Sequence, residues 1–191
     1  LMREVSHGND GNFSHEHAIT RINSDLANGL GNLVQRTLSM IHKNCDAQIP
    51  SPNELNDDDK KLLDHAHNRL VKPVIEEVDQ MRFNRALENI WRLVNDANAY
   101  VDAQAPWALK KEDPERMKTV LYVLAETIRV LGIITQAVTP SSSSKMLDQL
   151  KIDADKRDFS FINSEHQLQP ETAIDKPQGI FPRLDTAEKA A

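Results

Sequence analysis

Apolar positions recur along this chain at helical intervals. The cleanest run is Arg82–Val101, where Phe83, Ala86, Leu87, Ile90, Leu93, Val94 and Ala97 follow a 3.6-residue period. It predicts an amphipathic helix that stops before Pro106. Asp113-Pro114-Glu115 reads as a helix start with proline at the first helical position. From there to about Ala137 the pattern is apolar almost all round, from Val120 and Leu121 to Ile133 and Ile134. That predicts a central, buried helix. Thr139-Pro140 ends it, and Ser141–Leu150 reads as a short helix.

Nearer the start, Leu26, Leu30, Leu33, Met40 and Ile41 predict a helix over 23–43, capped by Asn23 or Ser24. A shorter helix over about 15–22, capped by Ser14, precedes it. Gly29 and Gly31 fall inside the longer pattern, each at a cost of roughly 1 kcal/mol against alanine. They predict a close approach to the backbone, either by another helix or by something the helix serves. Asp57–Asp59 open a further helix on its positive end. Its stripe is Leu62, Leu63, Ala66 and Leu70, continuing through Val74, Ile75 and Val78, and Pro73 is expected to kink it. After Lys151 the periodicity fades into irregular chain with three prolines and an Ile180-Phe181 patch. The fold expected is all-α: a bundle of four to six helices with an irregular C-terminal tail. The expected divisions are a connector over 1–13, a helical domain over 14–150 and a tail over 151–191 that packs back on the bundle.

Composition narrows the function. Six glycines and 5% aromatics argue against an all-β fold, and the 27% charged residues fit a globular chain. A net charge of −6 excludes a general nucleic-acid binder held by a basic surface, so any RNA contact must be local and geometric. The single cysteine, Cys45, leaves no internal disulfide and fits a reducing compartment. No apolar run approaches the roughly 20 residues of a membrane span, and no signal-peptide pattern stands out. A cytoplasmic protein without a membrane partner is expected. Opening on Leu1, the chain reads as a fragment of something longer.

Catalytic signatures are missing: there is no Gly-rich phosphate loop, no G-x-S-x-G and no H-E-x-x-H. His15, His17, His65 and His67 are expected to be solvated, and Asp57–Asp59 to be a first-turn dipole feature. His42 and Cys45 lack the second pair that zinc needs, so no metal site is expected. Two stretches stand out instead. Asn32 and Arg36, four apart, offer an amide and a guanidinium from one side of a helix, two groups that read base edges. In Asn95–Trp107 the chain is expected to pass from helix into loop, with Trp107 behind Pro106 on a stiff turn. Such an indole serves either as a stacking platform for an unpaired base or as a lid on the core. Trp91 and Tyr100 read as core, with the Tyr100 hydroxyl finding a partner at the edge.

Together these stretches carry a resemblance. D-L-A-N-x-L-G-N-L-x-x-R at Asp25–Arg36, and N-A-Y-V-D-A-Q-A-P-W at Asn98–Trp107, resemble the anticodon-binding domain of bacterial, notably alphaproteobacterial, methionyl-tRNA synthetases. The lead-in R-E-V and G-N-D-G-N-F-S looks like the segment leaving that family's catalytic half, and the closing I-F-P-R of Ile180–Arg183 looks like the return segment near the family's core C-terminus. The resemblance implies recognition of the CAU anticodon within an enzyme that esterifies methionine to its tRNA using ATP. It assigns the reading asparagine to Asn32, the arginine to Arg36 and the stacking tryptophan to Trp107 beside Pro106. The H-I-G-H and K-M-S-K-S signatures and the zinc-binding cysteines are absent from this sequence. The resemblance thus implies no cofactor here, with ATP and zinc belonging to a missing catalytic half, and an inactive fragment. The implied partners are the tRNA(Met) anticodon loop and that half, with the protein a monomer. From the residues alone, a helical protein–protein interaction module docking through Trp107 stays open.

Overall fold

The structure, a computed structural model, describes Arg3, Gly11 and residues 14–185. Most of the expected 1–13 connector lies outside the described residues. The described chain is helical and forms no strand; its single β-bridge joins Gln48 to Ala173.

The first helical stretch is continuous. Helix α1 (His15–Arg21), capped by the Ser14 hydroxyl, runs without a break into a π-helical segment (Ile22–Gly31) and then α2 (Asn32–Asn44). The expected cap at Asn23 or Ser24 is not formed. The backbone stays helical there, so the Ser24 hydroxyl donates back to the Arg21 carbonyl instead. Leu33, Val34, Thr37, Leu38 and Ile41 of α2 are buried.

Helix α3 (Asp57–Asn68) opens with a reciprocal capping box between Asn56 and Asp59. It does not kink at Pro73; it ends, at Arg69, and α4 (Val71–Asp79) begins anew. Pro73 then falls in the first turn of α4, where its missing N–H costs nothing. The break turns Ile75 and Val78 outward, against the expected inward stripe. Helix α5 (Phe83–Gln104) buries the predicted face together with Trp91 and Tyr100. Helices α6 (Pro106–Glu112), α7 (Pro114–Ile134) and α8 (Pro140–Gln149) each start on proline. Helix α7 is the buried centre, touching α2, α3, α5, α6 and α8. With the turn that follows, it is long and apolar enough by composition to cross a membrane, which the sequence reading did not find. Within the bundle 89% of that apolar window is buried, so its hydrophobicity is spent on the core.

Two ion clusters depart from expectation. Helix α7 is not purely apolar: Glu126 is fully buried and Arg129 is 2% exposed. The Glu126 carboxylate accepts from Arg129 Nη2 at 2.6 Å and from the Leu168 N–H at 2.9 Å, and pairs with His67 Nε2 at 2.7 Å. Arg129 also donates to the Phe161 carbonyl. The expected solvated His67 is thus a buried partner, because α3 presses its inner face onto α7. His65, also expected to be solvated, pairs with Asp96. Likewise Asp59 is more than a dipole feature. It is fully buried, and its carboxylate accepts both Nη groups of Arg116 and the Tyr100 hydroxyl. Burial pushes the Asp59 carboxyl up, but the bonds from Arg116, Tyr100 and Asn56 outweigh it and hold the group below its ordinary range.

The tail is irregular chain with three short 3₁₀ turns. It lies on the bundle through buried Ile162, Leu168, Ile174 and Ile180, and pairs with the α2–α3 connection through the Ile49 N–H to Thr172 carbonyl bond.

Candidate nucleic-acid interface

The buried stripe of α2 turns Asn32 and Arg36 away from the core. Asn32 is exposed, and its side-chain amide makes no hydrogen bond among the described residues. Arg36, one turn on, reaches across to the junction of α5 and α6.

That junction is a single residue. Ala105 closes α5 by donating to the Val101 carbonyl, and its own carbonyl accepts from Ala108 and Leu109 at the start of α6. It does both with φ 43° and ψ 59°. For a residue with a Cβ, this left-handed conformation costs roughly 1–2 kcal/mol. The turn puts Pro106 at the first position of α6, buried, and Trp107 at the second, 50% exposed. Trp107 is therefore not on a loop, as expected from sequence, but in the first helical turn. The proline that favoured a stiff turn also favours a helix start. Trp107 is half-exposed and so not enclosed in the core.

The guanidinium carbon of Arg36 lies 5.2 Å from the Trp107 ring centroid, within cation–π range. Arg36 Nη2 also donates to Asp102 Oδ1 at 3.2 Å, on the last turn of α5. Asp102 is 68% exposed, so solvent screens most of that attraction and the pair acts by orientation. Between α2 and the α5–α6 junction is a shallow, solvent-open hollow lined by Thr37, Met40, Val101 and Pro106 and by Leu121 and Leu124 of α7. The Thr37 hydroxyl is buried without a hydrogen-bond partner. Chemically the patch offers an aromatic face, a fork of N–H donors and a free amide, the set that engages unstacked bases in single-stranded RNA.

Of the four sequence-chosen residues, Arg36, Pro106 and Trp107 line one hollow, and Asn32 stands one helical turn from Arg36. Sequence reasoning assigned no role to Asp102 or to the left-handed Ala105, though both lie within the Asn98–Trp107 stretch. Their roles arise from partners in α2 and from a backbone turn that residue type does not announce. Among the described residues no group of three or more His, Cys, Asp or Glu side chains could hold a metal.

Comparison with known proteins bears on what this patch serves. Residues 49–191 match the family described as the anticodon binding domain of methionyl tRNA ligase, and residues 1–38 match the class I tRNA synthetases of the methionine type. The chain is 46% identical to the methionine–tRNA ligase of Mesorhizobium japonicum over 183 residues, covering 96% of this chain and 35% of that protein. It is also 46% identical to the ligase of Rhizobium meliloti over 188 residues, covering 98% and 36%. The crystal structure of the apo form of Mycobacterium tuberculosis methionyl-tRNA synthetase superposes with a TM-score of 0.92 at 42% identity, covering 96% of this chain and 37% of that one. The chain thus spans about a third of the length of the curated relatives it matches.

Proposed function

The chain belongs to the methionyl-tRNA ligase family, in its anticodon-binding part, and from that premise we propose that it reads the CAU anticodon of tRNA(Met). Trp107 stacks on an unpaired anticodon base. Arg36 and Asn32 hydrogen-bond base edges splayed out beside it, and Pro106 fixes the ring's direction. The observation that carries this reading is the convergence of Arg36 and Trp107, from distant parts of the sequence, on one half-exposed aromatic face. A local, geometric site of this kind also reconciles RNA binding with a net charge of −6.

On the same reading, a catalytic half outside this chain activates methionine with ATP and esterifies it to the tRNA, while these 191 residues supply specificity. The division into connector, helical domain and packed tail, a monomeric state and a cytoplasmic location belong to this proposal.

The test is a titration of this chain with a CAU anticodon stem-loop and with stem-loops changed at one anticodon base. Preferential binding of CAU is expected. Equal affinity for all of them, or none, would replace this reading with a protein-docking role for the Trp107 face. Methionine-dependent ATP–pyrophosphate exchange by this chain alone is expected to be nil.

A further inference from the structure

The π-helical segment Ile22–Gly31 runs for ten residues, where π geometry is mostly confined to single turns. It ends at Asn32, whose N–H donates to the Ala27 carbonyl five residues back and closes the last π turn. Something must keep so long an irregularity from relaxing into an α-helix.

The closing segment of the tail grips it at both ends. At the first turn, the Asn23 amide exchanges two hydrogen bonds of 2.8 Å with the N–H and carbonyl of Leu184. At the last turn, Phe181 lies against Gly31, so that an added Cβ would be 3.5 Å from the Phe181 ring and 2.9 Å from the Leu26 carbonyl oxygen. On the opposite side α5 meets the segment where Asn98 Nδ2 reaches the Gly29 carbonyl at 3.5 Å. Asp25, within the segment, pairs with Arg3 and with Arg21 one turn back. Gly31 is thus small because a side chain there would collide with the carbonyl that π winding brings near, and would crowd Phe181. The residue directly after it is Asn32.

We infer that residues 181–184 are a strap that holds the π winding and so fixes the direction in which Asn32 presents its amide. Phe181 and Asn23 are positioning residues, coupling residues 181–184 to one prong of the reading site. The inference rests on the anticodon-reading function proposed above. The strap's contacts fall on Asn23 and Gly31, and Asn32 is the reading residue next to them, so the effect is assigned to one anticodon position and not to stacking.

Two measurements on this chain, with Phe181→Ala and the milder Asn23→Ala, test it. Without RNA, amide hydrogen exchange at residues 27–32 is expected to quicken on the order of tenfold, while exchange at Ile128 in α7 holds. Unchanged exchange at 27–32, or an equal rise at Ile128, would overturn the strap whatever the RNA results. With single-base-changed stem-loops, each variant is expected to lose on the order of tenfold in discrimination at the position relaxed by Asn32→Ala. In the double variant with Asn32→Ala no further loss is expected. Uniform weakening across the stem-loops, or additive losses, would mark the segment as merely structural. If the unaltered chain shows no CAU preference, the reading function fails, and the exchange measurement still decides whether the strap holds the π turn.

Discussion

The Arg36 guanidinium is poised over Trp107 at 5.2 Å from the ring centroid, while its Nη2 donates to Asp102 Oδ1. The same side chain thereby touches both an aromatic face fit for stacking and a carboxylate that limits its freedom. An arginine held by two partners meets a base with less entropy left to lose.

Trp107→Ala is expected to weaken binding of the CAU stem-loop by roughly 1–3 kcal/mol. The ring is 50% exposed, so its removal should leave the melting temperature nearly unchanged. A titration paired with a thermal melt checks both. Loss of the fold would return the ring to a core role.

Arg36→Gln removes the fork of donors and the cation over the ring. Discrimination should relax at one anticodon position by about 1–3 kcal/mol, with the other positions read as before. Stem-loops changed one base at a time supply the measurement. An equal loss for every stem-loop would make Arg36 a backbone contact only.

Asp59 gives the fold an acid sensitivity of known sign. Its folded carboxyl titrates below the unfolded one, so its stabilisation is complete above the unfolded value of about 4. It is lost as pH falls through the lower, folded value. Asp59→Asn should cost about 3 kcal/mol near neutrality, since Arg116 loses its countercharge and an amide NH2 takes the place of one of the two acceptor oxygens. The variant should also show a flatter dependence of stability on pH as it falls below about 4. Urea melts across that range compare the two proteins.

Glu126→Gln leaves Arg129 buried with no countercharge, at an expected cost of about 3–5 kcal/mol. Because Glu126 and Arg129 also hold the Leu168 N–H and the Phe161 carbonyl, the tail should loosen first. Limited proteolysis within 158–170 should speed up before the helices yield. Equal resistance of that segment in both proteins would show that Ile162 and Leu168 alone pin the tail.

How much was legible in the sequence varies with the reach of the interaction. Helix α5 and the helix-starting proline of α7 were readable, because a 3.6-residue period and a proline at the first position act on neighbouring residues, whereas Pro140, expected only to end the central helix, starts α8. The break at Arg69 was misplaced to Pro73, since a proline inside an apolar pattern signals a kink as readily as a restart. His67 and Glu126 gave no local sign of burial, because each is made tolerable in the core by a partner from elsewhere in the chain.

By itself, the sequence determined an all-helical chain, its buried central helix, the choice of Asn32, Arg36, Pro106 and Trp107, and the family they point to. The helices follow from periodicity, and the site residues and family from the resemblance carried by two local motifs. Only the tertiary structure decided that Trp107 stands half-exposed on a helix, that Arg36 lies over it, and that Phe181 and Leu184 of the tail meet the π-helical segment before Asn32. Those relations join residues far apart in the chain, and their geometry is fixed by how whole helices pack rather than by any residue's own preference.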